Sequence, residues 1–595
     1  MPSPKLFTVS CMFFVVSFFA GIDTASCDEI KSHSQIVSAN DQEYVIEVGG
    51  TIDPENVEIV IENLGDTPVV NPRITANGLY DWFDIESMAT EITRDCTTDE
   101  EKAMAIWQWI HWKRFQRSPH DESSLHPVRA MNGYGYGICG HSSSWTKALC
   151  RALGIKARIW EMAGHTINEV FYDGGWHMLD ANVKVFYTAR DNKTVASMEE
   201  LMKDKWLIER TIHPRDPWER GEDIPWRNRD FAKYITTERD NWINSGYDDQ
   251  NGRDYNMAFT LKPGETLTRW WEPRLGKWES PDKDALVPLR YANGQLVWEP
   301  DLSRIDLLDY CRIEPFYNIS STDRDGRQPE VHVEFPQDKL YNRASRFDLQ
   351  VKSPYPIVGA HFWGKIIKHG SQASIGFAGP GWGSGSQVYN FRWGEGEKEL
   401  ELDLNPSVMK IAPLYGYRMV FKFTDSGESE KSSGLEWFKT VTDIQVSPHS
   451  LPALSLGSNT IRWSSQSDKP GKVRVTYKWR ENSDNAAPGL VNKADCPASF
   501  SSLAPTLSWK AAKDQNKGDS VADYQVMVSM RPDCSWPVSM SLYRNVGGPD
   551  CHWTVPESFL NPGTTYYWRV RARDSRGAVG QWGKVFSFET TSGAQ

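Results

Sequence analysis

Cys139, His165 and Asp180 are the residues of this chain whose types and spacing can do chemistry together. Cys139 follows the glycine-rich turn Gly133-Tyr-Gly-Tyr-Gly137 and precedes Trp145, Ala148, Leu149 and Ala152, which recur at helical spacing until Gly154. The pattern predicts a buried helix that opens at Cys139. At a helix N-terminus the unpaired backbone N–H groups and the macrodipole stabilise an anion. A thiol placed there falls below its ordinary pKa of about 8.5 and becomes a nucleophilic thiolate. The same amides, that of Cys139 included, can stabilise the oxyanion formed when a thiolate attacks a carbonyl.

The elements that must position these residues come next in the chain. Ile155 to Met162, His165 to Tyr172 and Trp176 to Asn182 have strand character, and Asp173-Gly174 between the last two predicts a tight hairpin. With a two-residue loop, Tyr172 faces Gly175, Ile167 faces Asp180 and His165 faces Asn182. His165 and Asp180 are then diagonal neighbours on one face, within reach of an imidazole and a carboxylate, so Asp180 can orient His165 and stabilise its protonated form. A three-residue loop places them on opposite faces. His177 lies three residues before Asp180, on the other side of that strand. His141, two past Cys139 on a helix, points away.

These residues resemble the core of the transglutaminase-like superfamily, papain-like folds that include transglutaminases, peptide N-glycanases and bacterial thiol proteases. The resemblance covers roughly residues 80 to 190. It rests on Cys139 at the start of a helix that runs into Arg151-Ala-Leu-Gly-Ile-Lys-Ala-Arg158, and on His165, Glu169-Val170, Trp176 and Asp180 in that order. Ile167 stands where the family often has an aromatic residue. The resemblance implies Cys139 as nucleophile, His165 as its base and Asp180 as the group that holds the imidazole. No cofactor and no metal are expected. Taken singly, an exported cysteine is by default half of a disulfide, a strand histidine is structural and an Asp after a Trp is a turn former. A copy of the fold kept only as a scaffold is also compatible with all three residues.

At 595 residues the chain has room for about four domains, and 39% hydrophobic with 24% charged residues is a globular composition. The net charge of -12 and the lack of a basic run exclude nucleic acid as an expected partner. Residues 1–26 read as a signal peptide: one lysine, an apolar run from Leu6 to Ala20 and small residues Thr24-Ala25-Ser26. The expectation is a secreted or cell-envelope protein, with a lipid anchor at Cys27 as an alternative fate of the new N-terminus. No other stretch is long and apolar enough for a membrane helix. Apart from Cys11, Cys27 and Cys139, the cysteines are Cys96, Cys150, Cys311, Cys496, Cys534 and Cys551, an even set that permits disulfides without assigning them. Nothing in their spacing suggests zinc.

The fold class read from this pattern is an α+β papain-like, transglutaminase-like core followed by all-β sandwich domains. Residues 27–75, with the alternating strands YVIEV and VEIVIEN, form an N-terminal β extension of the catalytic domain, which itself covers 76–256. Thr97 and Glu100 have capping-box spacing, and Ala103, Ile106, Trp107 and Ile110 then share one helical face. Trp107, Trp109 and Trp112 on that helix either line a groove or fill the core, with core favoured. The polar stretch 200–256 is either a flap over the cleft or a linker. Asp248, Asp249, Asn251 and Asp254, like Asp323 and Asp325, lack the spacing and closing Glu of a calcium loop. Residues 257–490 read as a β-rich region, a sandwich, whose glycine-rich stretch Gly376 to Gly385 is a β loop and not a phosphate loop. Residues 491–595 resemble a fibronectin type III domain, with Leu507-Ser-Trp509, Tyr524-Gln-Val-Met-Val528 and Leu560-Asn-Pro-Gly-Thr-Thr-Tyr566 on its strands.

The expected activity is that of a secreted thiol enzyme forming an acyl-enzyme from an amide, on an extracellular protein, peptide or glycan-bearing substrate. Peptide hydrolysis, deamidation and amine transfer stay open, with hydrolysis preferred. The alternatives are action on an extracellular polysaccharide or glycopeptide, and an inactive surface scaffold or adhesion protein. The 26 tryptophans suit either sugar stacking or β cores. Asn192 and Asn318 lie in glycosylation sequons.

Overall fold

The computed structural model describes residues 29–119, 121–162, 164–211, 235, 242–243, 254–274, 276–278, 290–313, 331–332, 344–368, 372–380, 385–392, 396–424, 433–548 and 550–595. The signal peptide expected at residues 1–26, Cys27, the sequon at Asn318, Asp323 and Asp325, and nearly all of the polar stretch between 212 and 253 lie outside the described residues.

Helices gather at the start of the chain. The helix Asp99–Lys113 is capped by Thr98, whose side chain accepts from the Glu101 N–H, while Glu101 accepts from the Thr98 N–H. The capping box therefore sits one residue beyond the expected Thr97 and Glu100. Thr97 is not idle, since its N–H and hydroxyl both donate to Glu101 Oε2, at 2.7 and 2.8 Å. Ala103, Ile106, Trp107 and Ile110 are buried as their spacing requires. Trp107 is core, packed edge-on against His111 and Phe186, whereas Trp112 is half exposed.

The helix Cys139–Ala152 is buried from Gly140 through Cys150. A helix with so many small polar residues can be buried because their hydroxyls are satisfied locally. Ser143 donates to the Thr166 carbonyl, Ser144 to that of Leu125 and Thr146 to that of Ser142. It packs against a five-stranded antiparallel sheet built on Ala157–Met162, His165–Tyr172 and Gly175–Asp180. Tyr172 pairs with Gly175 and Asn168 with Leu179, the register of a two-residue loop. Asp173 (φ 47°) and Gly174 (φ 79°) both take the left-handed conformation that such a loop demands.

Residues 29–75 do not extend that sheet. Ile30–Val37 pairs with Val473–Asn482, which pairs in turn with Ile52–Asn63, and Asp41–Val48 pairs with Gly457–Ser464. The strands of residues 446–490 thus find their partners at the opposite end of the chain. The sheet continues through Glu265–Trp270, Gly294–Trp298, Gly434–Ile444 and the long strand Ala344–Lys368, and reaches thirteen strands.

The C-terminal domain has its own core around Trp509, Tyr524, Val526, Trp568 and Phe588. Tyr566 is the second residue of the strand Thr565–Asp574, and its hydroxyl accepts the Asn561 N–H at 2.7 Å, a tyrosine corner. Arg210 anchors this domain to the N-terminal half, donating to the Ser558 carbonyl and to Asn192 Oδ1, each at 2.7 Å. Asn192 is buried in that contact, and its amide also donates to Asn561 Oδ1.

Many of the described tryptophans go inward. Trp107, Trp145, Trp298, Trp463 and Trp568 are among the largest fully buried side chains. Among the described residues, Cys96, Cys139, Cys150, Cys311, Cys496, Cys534 and Cys551 form no disulfide, so the structure shows none of the bridges the sequence permits among them. Among the described residues no helix is long and apolar enough to cross a membrane.

Candidate active site

Cys139 is the first residue of its helix, and the N-cap position is occupied by Ile138, which has no side-chain acceptor to offer. The first intrahelical bond runs from the Ser142 N–H to the Ile138 carbonyl at 3.0 Å. The N–H groups of Cys139, Gly140 and His141 precede it and belong to the open end of the helix. A Ser, Thr or Asp at the cap would stabilise the helix by about 1 kcal/mol. It would also occupy the amides that an anion at this turn can use.

The approach to Cys139 is shaped by glycine for a steric reason. A Cβ on Gly137 would lie 2.4 Å from Trp145 Cη2 and 2.8 Å from His141 Cβ. Trp145 is fully buried, with its indole N–H donating to the Ser124 carbonyl at 2.8 Å, so it cannot yield. Gly135 turns the chain at φ 71°.

His165 starts its strand opposite Met162, and Asp180 ends its own strand one residue past the last hairpin pair, where it pairs with Val185. His165 Nε2 and Asp180 Oδ2 lie 2.7 Å apart. Asp180 Oδ1 accepts the N–H groups of Asn182 and Val183 at 2.9 and 3.0 Å, which fixes the carboxylate's rotation. With Nε2 committed to Asp180, Nδ1 is the ring nitrogen that remains for Cys139, and the two side chains are hydrogen-bonded. The three residues are therefore brought together: Cys139 half-buried and reachable, His165 and Asp180 buried.

Electrostatics follow from this contact. Burial opposes a charged His165, but the adjacent Asp180 charge and hydrogen bond outweigh it and raise the imidazole to about 10, with Cys139 adding to the effect. Burial also raises the Cys139 thiol, and here the His165 hydrogen bond and charge, with the Thr166 N–H donated to sulfur, bring it below its ordinary value. Both shifts favour a thiolate–imidazolium pair.

The other histidines are occupied elsewhere. His141 Nε2 meets Ser124 Oγ at 3.0 Å, and burial pushes its pKa down to about 4. His177 stacks on Tyr172, with Nδ1 2.6 Å from the Val195 carbonyl oxygen. Glu169 is structural as well: fully buried, it accepts from Arg158 Nε, Trp160 Nε1 and the Met198 N–H at 2.6, 2.5 and 2.7 Å.

Sequence reasoning missed Arg114. Its buried guanidinium donates to the Gly137 carbonyl at 2.6 Å and to the Asn182 carbonyl at 2.8 Å, joining the loop before Cys139 to the loop after Asp180. These two acceptors are main-chain oxygens, which leave no mark in the sequence. A cavity of about 1140 Å³ lined by Arg129, Lys352, Tyr415 and Arg418 among others includes none of the three site residues.

Residues 86–181 match the model of the transglutaminase-like superfamily, and that segment contains the Cys139 helix and both strands of the hairpin. This part of the chain is a transglutaminase-like domain. The transglutaminase-like domain is followed at residues 490–593 by a match to the Rha78A-like N-terminal immunoglobulin domain. Comparison with curated proteins finds no match. Among solved structures, the sixth fibronectin type III domain of human fibronectin type III domain containing protein 3 is 19% identical, with 18% of this chain and 91% of that one covered and a TM-score of 0.14. The fibronectin(III)-like modules of Clostridium thermocellum CbhA are 9% identical, with coverages of 42% and 88% and a TM-score of 0.14. The Clostridium perfringens spore cortex lytic enzyme SleM is 15% identical, with coverages of 21% and 34% and the same score. At a TM-score of 0.14 these likenesses carry no argument about the reaction. The chain is thus an α+β transglutaminase-like domain combined with β-sandwich domains, the last of them immunoglobulin-like.

Proposed function

We propose that the transglutaminase-like domain is a thiol enzyme that forms an acyl-enzyme from an amide, with Cys139 as nucleophile, His165 as acid and base, and Asp180 holding the imidazole. The observation that carries this reading is the Cys139–His165–Asp180 chain of hydrogen bonds at the open end of a helix. The Cys139 thiolate attacks the amide carbon, and the carbonyl electrons pass to oxygen, where the Cys139 N–H faces the developing charge. His165 gives its proton to the departing nitrogen, the C–N bond breaks and a thioester remains. Neutral His165 then takes a proton from water as it attacks the thioester, and the acid and free Cys139 are released.

Hydrolysis is the outcome we favour, on an extracellular protein, peptide or glycopeptide. The export expected from residues 1–26 supports that setting. Exposure to a library of peptides and glycopeptides, followed by intact-mass measurement, tests the proposal. A covalent acyl adduct on Cys139, absent from Cys139→Ala, is expected. No adduct from any substrate, with the wild-type chain folded, contradicts it.

A further inference from the structure

The loop before strand Val521–Ser529 and the end of strand Thr565–Asp574 bring three carboxylates together in the C-terminal domain. Asp514, Asp519 and Asp574 each place an oxygen within 4.8 Å of the other two. The surrounding backbone is locked: Val521 pairs with Asp574, and the Ser575 N–H donates to the Ser520 carbonyl at 2.9 Å.

Each carboxylate divides its oxygens in the same way. Asp514 Oδ1 accepts the Asn516 N–H at 2.8 Å, and Asp519 Oδ1 accepts the Ser520 N–H at 2.7 Å together with the Ser575 hydroxyl. Asp574 Oδ1 accepts the N–H groups of Arg576 and Ala578 at 3.0 and 2.7 Å. The Oδ2 atoms of all three are buried and have no hydrogen-bond partner. Asp574 as a whole is 1% exposed, so its second oxygen is buried without a hydrogen-bond partner next to the other two carboxylates. Buried carboxylate oxygens are ordinarily hydrogen-bonded or paired with a cation. Arg576, the cation beside Asp519, directs its guanidinium to the Asp484 carbonyl.

We propose that Asp514, Asp519 and Asp574 bind one calcium ion through their Oδ2 atoms. The donors are hard oxygens on an irregular loop, and their separation suits metal–oxygen bonds of about 2.4 Å. Magnesium, which demands a near-ideal octahedron at about 2.0–2.1 Å and keeps several of its waters, is less suited to three carboxylates on an irregular loop. The same loop holds the linker that enters this domain. Gln515 donates to the Ala487 carbonyl at 3.0 Å, the Gly489 N–H donates to the Lys513 carbonyl at 2.9 Å, and Asn516 bonds Asn485. An ion here stiffens the joint between the large sheet and the C-terminal domain.

Calorimetric titration of the chelator-treated full chain with calcium chloride, paired with thermal unfolding, tests the assignment. One saturable site with a Kd below about 1 mM and a raised unfolding temperature for the C-terminal domain are expected. Asp574→Asn should weaken binding at least about tenfold, and Asp514→Asn, at a less buried position, should do so without loss of fold. Absence of saturable binding, unchanged affinity in a folded Asp514→Asn chain, or an equal response to magnesium overturns the proposal.

Discussion

Asp180 lies one residue beyond the last rung of its hairpin with the strand that carries His165, yet its Oδ2 is 2.7 Å from His165 Nε2. Its other oxygen is tied to the backbone of the turn that follows. The pair therefore depends on the Asp173-Gly174 loop, which sets the register, and on the 181–184 turn, which sets the carboxylate's rotation.

Removing the carboxylate should uncouple the imidazole. Asp180→Asn is expected to keep the fold, lower the His165 pKa from about 10 and slow Cys139 acylation about 10²–10⁴-fold. Imidazole titration by NMR together with single-turnover acylation checks both effects.

The pH profile of acyl transfer should be a broad bell. As pH falls through the depressed thiol pKa, the thiolate is protonated and the rate declines. As pH rises through about 10, His165 loses the proton it must give to the leaving nitrogen, and the rate declines again. A rate that rises steadily through pH 8.5 would identify an ordinary thiol.

Gly137→Ala should be costly although it adds only a methyl group, because the new carbon meets buried Trp145 and His141. A loss of about 1–3 kcal/mol in urea unfolding is expected, with slower alkylation of Cys139 in whatever folds.

Arg114→Met tests the clamp between the two site loops. Loss of its charged bonds to the Gly137 and Asn182 carbonyls should cost about 2–3 kcal/mol of stability. Small misplacement of Cys139 relative to His165 should slow acylation about 10²-fold. Urea melts and single-turnover rates on the same sample separate the two effects.

Much of the site was legible because its determinants are local. The Asp-Gly loop has one common geometry, and it carries His165 and Asp180 to one face. The Cys139 helix announces itself by Trp145, Ala148 and Leu149. The capping box was displaced by one residue because Thr97-Thr98 and Glu100-Glu101 offer two equivalent spacings. The partners of residues 30–63 were illegible for a different reason. Alternation marks a strand without naming its neighbour, and Ser34 meets Thr476 across 442 residues of chain. Arg114 and the Asp514–Asp519–Asp574 cluster are likewise products of tertiary placement.

The most direct test of the account is the rate of Cys139 alkylation by iodoacetamide from pH 5 to pH 10, in the wild-type chain and in His165→Ala, with modification located by mass spectrometry. A wild-type rate that reaches its plateau at a clearly lower pH than that of His165→Ala, whose rate climbs only near or above the ordinary thiol value of about 8.5, is predicted. Two superimposable profiles would contradict the claim that His165 holds Cys139 as a thiolate.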